Sequence, residues 1–307
     1  MRRVPALILQ SLMVVVGVAT LVFLALRLAP GDPVDLILGD QPELASAETR
    51  AKIRHELGLD LPIAVEWAHF MKRASVLDLG NSLTQQKPVR SLIAERLPNT
   101  LMLALAASLL ANAAGLLIGA AAALRPRGIT SKALFWLSSL FQSMPSFWIG
   151  PFLIIAFALH WPGLPVSSFD EASGIILPAI TLALGMTGIL ARACEESMAF
   201  CLRSDYVRTA RSKGLSETTV VLKHVLPNAL PPLIIISSLQ LGHLIAGAIV
   251  TETIFDWPGM GTLMYDAISQ RDYPTVQGIV LVIAIGYVAL NLAADLIAAR
   301  FSPGDRA

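Results

Sequence analysis

The sequence predicts an all-α integral membrane protein with six transmembrane helices. Three observations carry that expectation. Of the 307 residues, 55% are hydrophobic and only 15% are charged, with a mean hydropathy of +0.65; soluble domains carry roughly 25% charge. Six apolar runs each approach or exceed the length of about 20 helical residues that crosses a hydrocarbon core ~30 Å thick. The basic residues of the short connecting segments fall on one side of the membrane, as the positive-inside rule requires.

The runs cover approximately Leu7–Leu28, Thr100–Leu124, Ala133–Leu159, Ile175–Ala193, Pro231–Phe255 and Val276–Ala299. The first is longer than the apolar stretch of a signal peptide and lacks a small-residue cleavage site, so it is expected to remain as a helix. Arg27 at its end can snorkel to the headgroups. Pro145, between Ser143 and Ser146, should weaken the third span as a hinge or a static kink. Gly185 and Gly188 interrupt the fourth and permit close helix contact.

Arg2 and Arg3 precede span one, and Arg125, Arg127 and Lys132 join spans two and three. Arg192, Arg203, Arg208, Arg211, Lys213 and Lys223 lie between four and five, and Arg300 and Arg306 follow six. His160–Gly174 has no Lys or Arg, and Trp257–Thr275 has only Arg271. Both termini are therefore expected in the cytoplasm, with Ala29–Pro98 outside. Within that long outer segment Ser46 can cap a helix reaching Leu57, which Gly58 would end, and a second helix should run over Ile63–Arg73. The segment is expected either to cover the outer helix ends or to dock a partner. The expected organisation is thus a helix at about 7–28 with its outer loop at 29–98, a core at 99–300 and a short cytoplasmic tail at 301–307.

The polar stretch Ser204–Leu215, followed by Leu226-Pro227-Asn228, is too basic for lipid. It reads as two short helices: Ser204 caps the first, Gly214 ends it, Ser216 caps the second and Pro227 stops it. An elbow of this kind on the basic side of a membrane can be pushed by another protein. Binding of anionic lipid is the simpler alternative for Arg203, Arg208, Arg211 and Lys213.

Polar residues inside spans are candidates for function. Asn112, Gln142, Gln240 and His243 fall near mid-depth, Ser143 and Met144 flank the weak point of span three, and Glu252 and Asp256 lie near the outer end of span five. Asn291 and Asp295 lie near the inner end of span six. A hydrated solute needs such groups, so Asn112, Gln142, Ser143, Met144, Gln240, His243 and Glu252 are candidates for a pathway or gate. Interhelical hydrogen bonding is the competing role, worth about 0.6 kcal/mol per contact.

Several functions are excluded or disfavoured. A phosphate loop needs Gly-Lys, and none of the six lysines follows a glycine. HExxH, CxxC and G-x-S-x-G are absent as well. Cys194 and Cys201 form no disulfide framework or metal pattern, and a net charge of +1, with its bases dispersed, does not point to nucleic acid. An ion-coupled transporter should show repeated halves and paired intramembrane acids; no repeat is visible. A noncatalytic scaffold would not need the mid-depth polar set.

The elbow resembles the cytoplasmic coupling loop of binding-protein-dependent ABC importers, with Arg208-Thr209-Ala210 at its triplet, Gly214 at its glycine, His224 in place of an isoleucine and Leu226-Pro227 at its end. The resemblance to dipeptide/oligopeptide-type permeases extends over nearly the whole chain. It includes Leu26–Pro33, Glu56–Asp60, Asp78–Ser82, Arg96–Leu101, Pro145–Trp148, Leu177–Ala179, Thr251–Gly261 and Arg271–Pro274. It implies the type I importer permease fold, with a five-helix core from span two onward, of the subunit type with a long first outer loop. It also implies a second permease subunit, a solute-binding protein outside and two ATPase subunits inside, which carry the ATP and Mg; this chain holds no cofactor or metal. Di- or oligopeptides are the expected solutes, with nickel complexes, glutathione, haem and oligosaccharides as related possibilities. Asp205, Tyr206, Val207, Arg208, Thr209, Ala210, Arg211, Gly214, Leu215, Leu226 and Pro227 are the expected ATPase contacts, with Tyr206 and Ala210 on the docking face and Arg208 and Arg211 at its rim.

Overall fold

The computed structural model describes residues 3–28, 34, 46–56, 60–158 and 172–301. Expectations for Pro30–Pro33, for Leu57 to Leu59, for most of the His160–Gly174 loop and for the tail after Phe301 lie outside the described residues. The described chain is helical, with no strand and one isolated bridge, Asn81 to Pro88. In order the helices are α1 (Arg3–Leu28), α2 (Ala47–Glu56), α3 (Ile63–Ser75), α4 (Val89–Leu124), α5 (Ile129–Ser143), α6 (Ser146–Leu153), α7 (Ile176–Leu202), α8 (Asp205–Ser212), α9 (Glu217–Val220), α10 (Leu226–Gly247), α11 (Ile249–Ile254), α12 (Met260–Ser269) and α13 (Tyr273–Phe301). Wider π turns cover Ile154–Ala158 and Val221–Val225.

Five helical stretches are long and apolar enough to cross a membrane: Leu9–Leu28, Val89–Leu124, Ser173–Leu202, Glu217–Ile245 and Tyr273–Ala294. The sixth run is a bent pair, Ile129–Ser143 and Ser146–Phe157, turned by 113°. Pro145 therefore breaks span three outright. It forces Met144 into extended backbone (φ −88°, ψ 132°) and itself heads the next helix. Gly185 and Gly188 do not interrupt span four, which continues through Arg192 and Glu195 to Leu202. Gly188 is packed against Ser138 and Gln142 of α5, the close approach glycine permits, whereas Gly185 has open space beside it.

The chain forms two compact units. The first comprises Met1–Asn99 and Pro258–Val288. Its apolar centre joins Val89, Leu92 and Ile93 of α4 to Met260 and Leu263 of α12 and Ile279 of α13. A buried carboxylate pins it further: Asp272 accepts from Ser82 Oγ at 2.5 Å, Leu83 N at 3.2 Å and Thr84 Oγ1 at 3.2 Å. It also accepts from Thr275 N at 3.4 Å and Thr275 Oγ1 at 2.9 Å, the latter pair capping the start of α13. Ser46 caps α2 through the Thr49 amide, as expected. Trp67 of α3 donates to Thr20 of α1 at 3.1 Å, and Phe70 stacks on Phe23 with ring centroids 5.7 Å apart. Arg27, expected at the headgroups, lies 3.5 Å from Glu66. Burial pushes the Glu66 carboxyl above the usual range, and Arg27 opposes that.

The second unit comprises Thr100–Trp257 and Ala289–Ala307. Small residues set its spacing. Ala104, Ala107 and Ala111 of α4 pack with Ala179, Ala183, Met186 and Leu190 of α7 and with Leu244 and Ile245 of α10. Without a solvent-driven hydrophobic force inside lipid, such close backbone approach is what holds helices together.

Candidate functional site

The elbow is built from α8, Gly214, α9 and the turn that leads into α10. Val207 and Ala210, one turn apart on α8, are 0% and 5% exposed. They pack with Cys194, Met198 and Cys201 of α7 and with Val220, Val225 and Ala229. The elbow is thus seated on an apolar floor. Ala210 belongs to that floor, which corrects its expected place beside Tyr206 on the docking face. It follows Val207 by three positions, whereas Tyr206 sits 41% exposed on the flank. Asp205, Arg208, Thr209 and all residues from Arg211 to Thr218 are exposed, Leu215 among them.

The ends of the two short helices follow partly from the expected residues. Gly214 has φ +78°, the left-handed conformation that favours glycine, and its N–H bonds Arg211 O at 2.9 Å. Ser216 accepts from the Thr219 amide at 3.3 Å as the cap of α9. Ser204 stands at the first residue before α8, but its hydroxyl donates back to Phe200 O instead of capping. Pro227 does not stop the second helix. Leu226 and Pro227 open α10, and the π turn Val221–Val225 widens the helix just before them. That widening absorbs the proline ring and its missing N–H.

Arg211 bridges the elbow, donating to Glu217 at 2.8 and 3.1 Å. Tyr206 keeps its hydroxyl proton: burial pushes it up to about 12, and the neighbouring Cys201 thiol adds to the effect. The exposed surface therefore offers a neutral aromatic, and Arg208 and Lys213 are exposed on the elbow as well.

The polar candidates in the spans are divided among several helix contacts. Ser237 of α10 hydrogen-bonds the Asn112 side chain, which also donates to Ser108 O at 2.8 Å. Gln240 follows Ser237 by one turn and is half-buried, and His243 is exposed. Gln142 sits at the last turn of α5, not at mid-helix, and is exposed. Its Oε1 lies 2.6 Å from where a Cβ at Gly188 would stand, so that glycine is what admits it against α7. Ser143 bonds Ser139 O, and Met144 is partly buried beside Ile149 and Leu153. Glu252 is 0% exposed and accepts from Thr100 Oγ1 at 2.6 Å, a satisfied pair at the start of the second unit. Among the described residues no three His, Cys, Asp or Glu side chains converge as metal ligands. Sequence reasoning missed the Asp272 cluster. The signal was present, since Asp78–Ser82 and Arg271–Pro274 were both singled out, but nothing in the sequence joined them.

Comparison with known proteins decides the family. Residues 115–306 match the binding-protein-dependent transport system inner membrane component, and residues 1–104 match the N-terminal part of such membrane components. The chain belongs to this family. It is similar to the glutathione transport system permease protein GsiC of Salmonella typhimurium, 39% identical over 94% of each chain. It is also 37% identical to the di/tripeptide transport system permease protein DppB of Pseudomonas aeruginosa, covering 94% of this chain and 93% of the other. Inward-facing MetNI methionine ABC transporter shares the fold at 18% identity, with a TM-score of 0.59 over 70% of this chain and 98% of that one. An amino acid ABC transporter gives a TM-score of 0.54 at 13% identity, over 69% and 95%. The permease is therefore the membrane subunit of an ABC importer of the peptide type and a multi-pass inner-membrane protein; ATP hydrolysis belongs to a separate subunit. Its family works with a second permease, ATPases and a binding protein.

Proposed function

We propose that this permease pairs with a second, different permease to form the pathway for short peptides, glutathione included, handed over by an extracytoplasmic solute-binding protein. Two ATPase subunits, holding ATP and Mg, grip the elbow from the cytoplasm. Both termini are cytoplasmic and residues 29–98 lie outside. The observation that carries the mechanical part is the elbow's construction. Its underside is fixed by Val207 and Ala210, its bend by Gly214, and its polar surface stays open. A push on α8 is thereby passed to α7 and, through α9 and the π turn, to α10, which carries Ser237 and Gln240. Asn112, Gln142, Ser143, Met144, Gln240, His243 and Glu252 remain the candidates for the pathway and its gate. The substrate class rests on the two peptide-type relatives.

The test uses the full complex in proteoliposomes with its binding protein. Dialanine, a tripeptide or glutathione should stimulate ATP hydrolysis and accumulate inside. Stimulation by a nickel complex, haem or an oligosaccharide, with none by any peptide, would move the permease to another solute class.

A further inference from the structure

The position of α3 against α1 has a consequence for the membrane. The apolar span of α1 runs from Leu9 to Leu28. Thr20 and Phe23, the residues that Trp67 and Phe70 of α3 touch, lie eight and five residues short of its end. At 1.5 Å per residue this is about 12 and about 7.5 Å below the Leu28 level. Glu66 of α3 also lies 3.5 Å from Arg27, one residue from that end, so the contacts of α3 are spread over the last turns of the span.

The sequence of α3 suits that depth. On a helical projection Ile63, Ala64, Trp67, Ala68, Phe70, Met71 and Ala74 form one apolar arc broken only by Ser75, and Glu66, His69, Lys72 and Arg73 fall opposite with Val65 among them. α1 covers only part of the arc. Trp67, Phe70, Met71 and Ala74 are half-buried, and Ile63, Ala64 and Ala68 are exposed. The opposite edge lines an open cavity of about 1250 Å³ together with Arg27, Asp78 and Tyr273. Beyond the helix, Val76 and Leu77 are 74% and 55% exposed. Leu77 holds φ +56° in the closing turn, where its N–H bonds Ala74 O and the Asp78 N–H bonds Arg73 O. A glycine usually fills that site, and a leucine there accepts strain that presents an apolar tip. On α1 itself Leu21 and Leu24 are exposed as well.

We propose that α3 is an interfacial membrane helix, lying in the leaflet at the Leu28 end of span one with its uncovered apolar arc on lipid acyl chains and its charged edge toward headgroups and water. Helices of this type bury their apolar face about 5–10 Å deep, a range that includes the Phe23 level, and the long Trp67 side chain reaches deeper to Thr20. The proposal rests on the membrane reading of α1, and its leaflet becomes the outer one if the proposed topology holds.

Nitroxide labels read this directly in the full complex, reconstituted in phosphatidylethanolamine–phosphatidylglycerol vesicles with Cys194 and Cys201 replaced by alanine. Labels go singly at Ala64, Ala68, His69 and Lys72, all exposed, with Leu21 as the lipid reference. At Ala64 and Ala68 oxygen collisions should exceed those with a water-soluble nickel chelate, as at Leu21, and the ratio should invert at His69 and Lys72. Labels at Ala64 and Ala68 that favour the nickel chelate would make α3 an aqueous lid and overturn the proposal. Labels there shielded from both reagents would seat it on protein and overturn it equally. Nickel chelate confined to one side of the vesicle tests the topology separately: access to Lys72 from the cytoplasmic side would reverse the proposed orientation while leaving an interfacial helix in place.

Discussion

The elbow between α7 and α10 and the Asp272 cluster of the first unit both fasten a connecting segment to a helix, by opposite means. At the elbow the fastening is apolar. Val207, Ala210, Val220 and Val225 form the floor, and the polar residues above it are exposed, with Thr209, Arg211 and Ser212 bonded only within the elbow itself. At Asp272 the fastening is polar and closed. One carboxylate, 1% exposed, takes hydrogen bonds from three residues near position 83 and from Thr275, leaving nothing over for a partner. Exposed groups bonded only within their own element can exchange those bonds for water or a partner at little cost, whereas a buried carboxylate with its acceptor sites filled cannot.

The largest effect should come from breaking the closed fastening. Asp272→Ala leaves the Ser82, Thr84 and Thr275 hydroxyls and two backbone N–H groups without their shared acceptor, with Ser82 and Thr275 buried. Hydrogen bonds to charged groups contribute about 1.5–3 kcal/mol each and are not additive, so a loss on the order of 3–5 kcal/mol is expected. The permease should show a clear fall in thermal midpoint and new proteolysis near Gln85. A variant with unchanged midpoint would mean that the apolar centre around Val89 and Met260 holds this region alone.

The open fastening should fail differently. An added Cβ at Gly214 meets nothing within 4 Å, so substitution there costs only its backbone, held at φ +78°. Left-handed conformation costs about 1–2 kcal/mol for a residue with a Cβ, and most for a β-branched one. Gly214→Val should leave the complex assembled but redirect α9 and abolish substrate-stimulated ATP hydrolysis. Gly214→Asn, which tolerates that conformation, should keep most of it. Equal stimulated rates in wild type and the valine variant would remove the elbow from the coupling mechanism.

Both fastenings were legible in the sequence to different degrees, and the difference is one of range. Gly214 and Ser216 act on neighbours within three residues, so their helix-ending and capping roles could be read directly. The Ser82–Asp272 bond joins positions 190 apart and has no local signature. The six apolar runs located the spans, but not their ends. α4 begins at Val89, well before its apolar run, because its first turns are anchored by packing against α12 and α13. Pro145 and Pro227 show the limit of reading prolines singly: one turns the chain by 113°, and the other is absorbed by a π turn. Which occurs depends on what packs against the freed backbone groups. The polar candidates were found as residues, but their partners were not. Asn112 meets Ser237 across helices, and Gln142 fits against Gly188.

The smallest expected effect sharpens the comparison most. The Arg211–Glu217 pair is a bidentate ion pair on the elbow's surface, and its geometry invites the idea that it sets the bend. Both side chains are substantially exposed, at 44% and 66%. Exposed pairs contribute about 0.2–1 kcal/mol and weaken with salt, because water already solvates both charges and two long side chains lose freedom in pairing. A double-mutant cycle of Arg211→Ala and Glu217→Ala, read by thermal stability of the complex, should therefore give a coupling of about 0.5 kcal/mol or less. It should fall toward zero in high salt, while both single variants retain assembly. A coupling of about 2 kcal/mol or more would mean that the elbow, like the Asp272 cluster, is held by spent polar groups. The division between a closed fastening and an open one would then collapse, and with it the reason for expecting the ATPase to find Arg211 available.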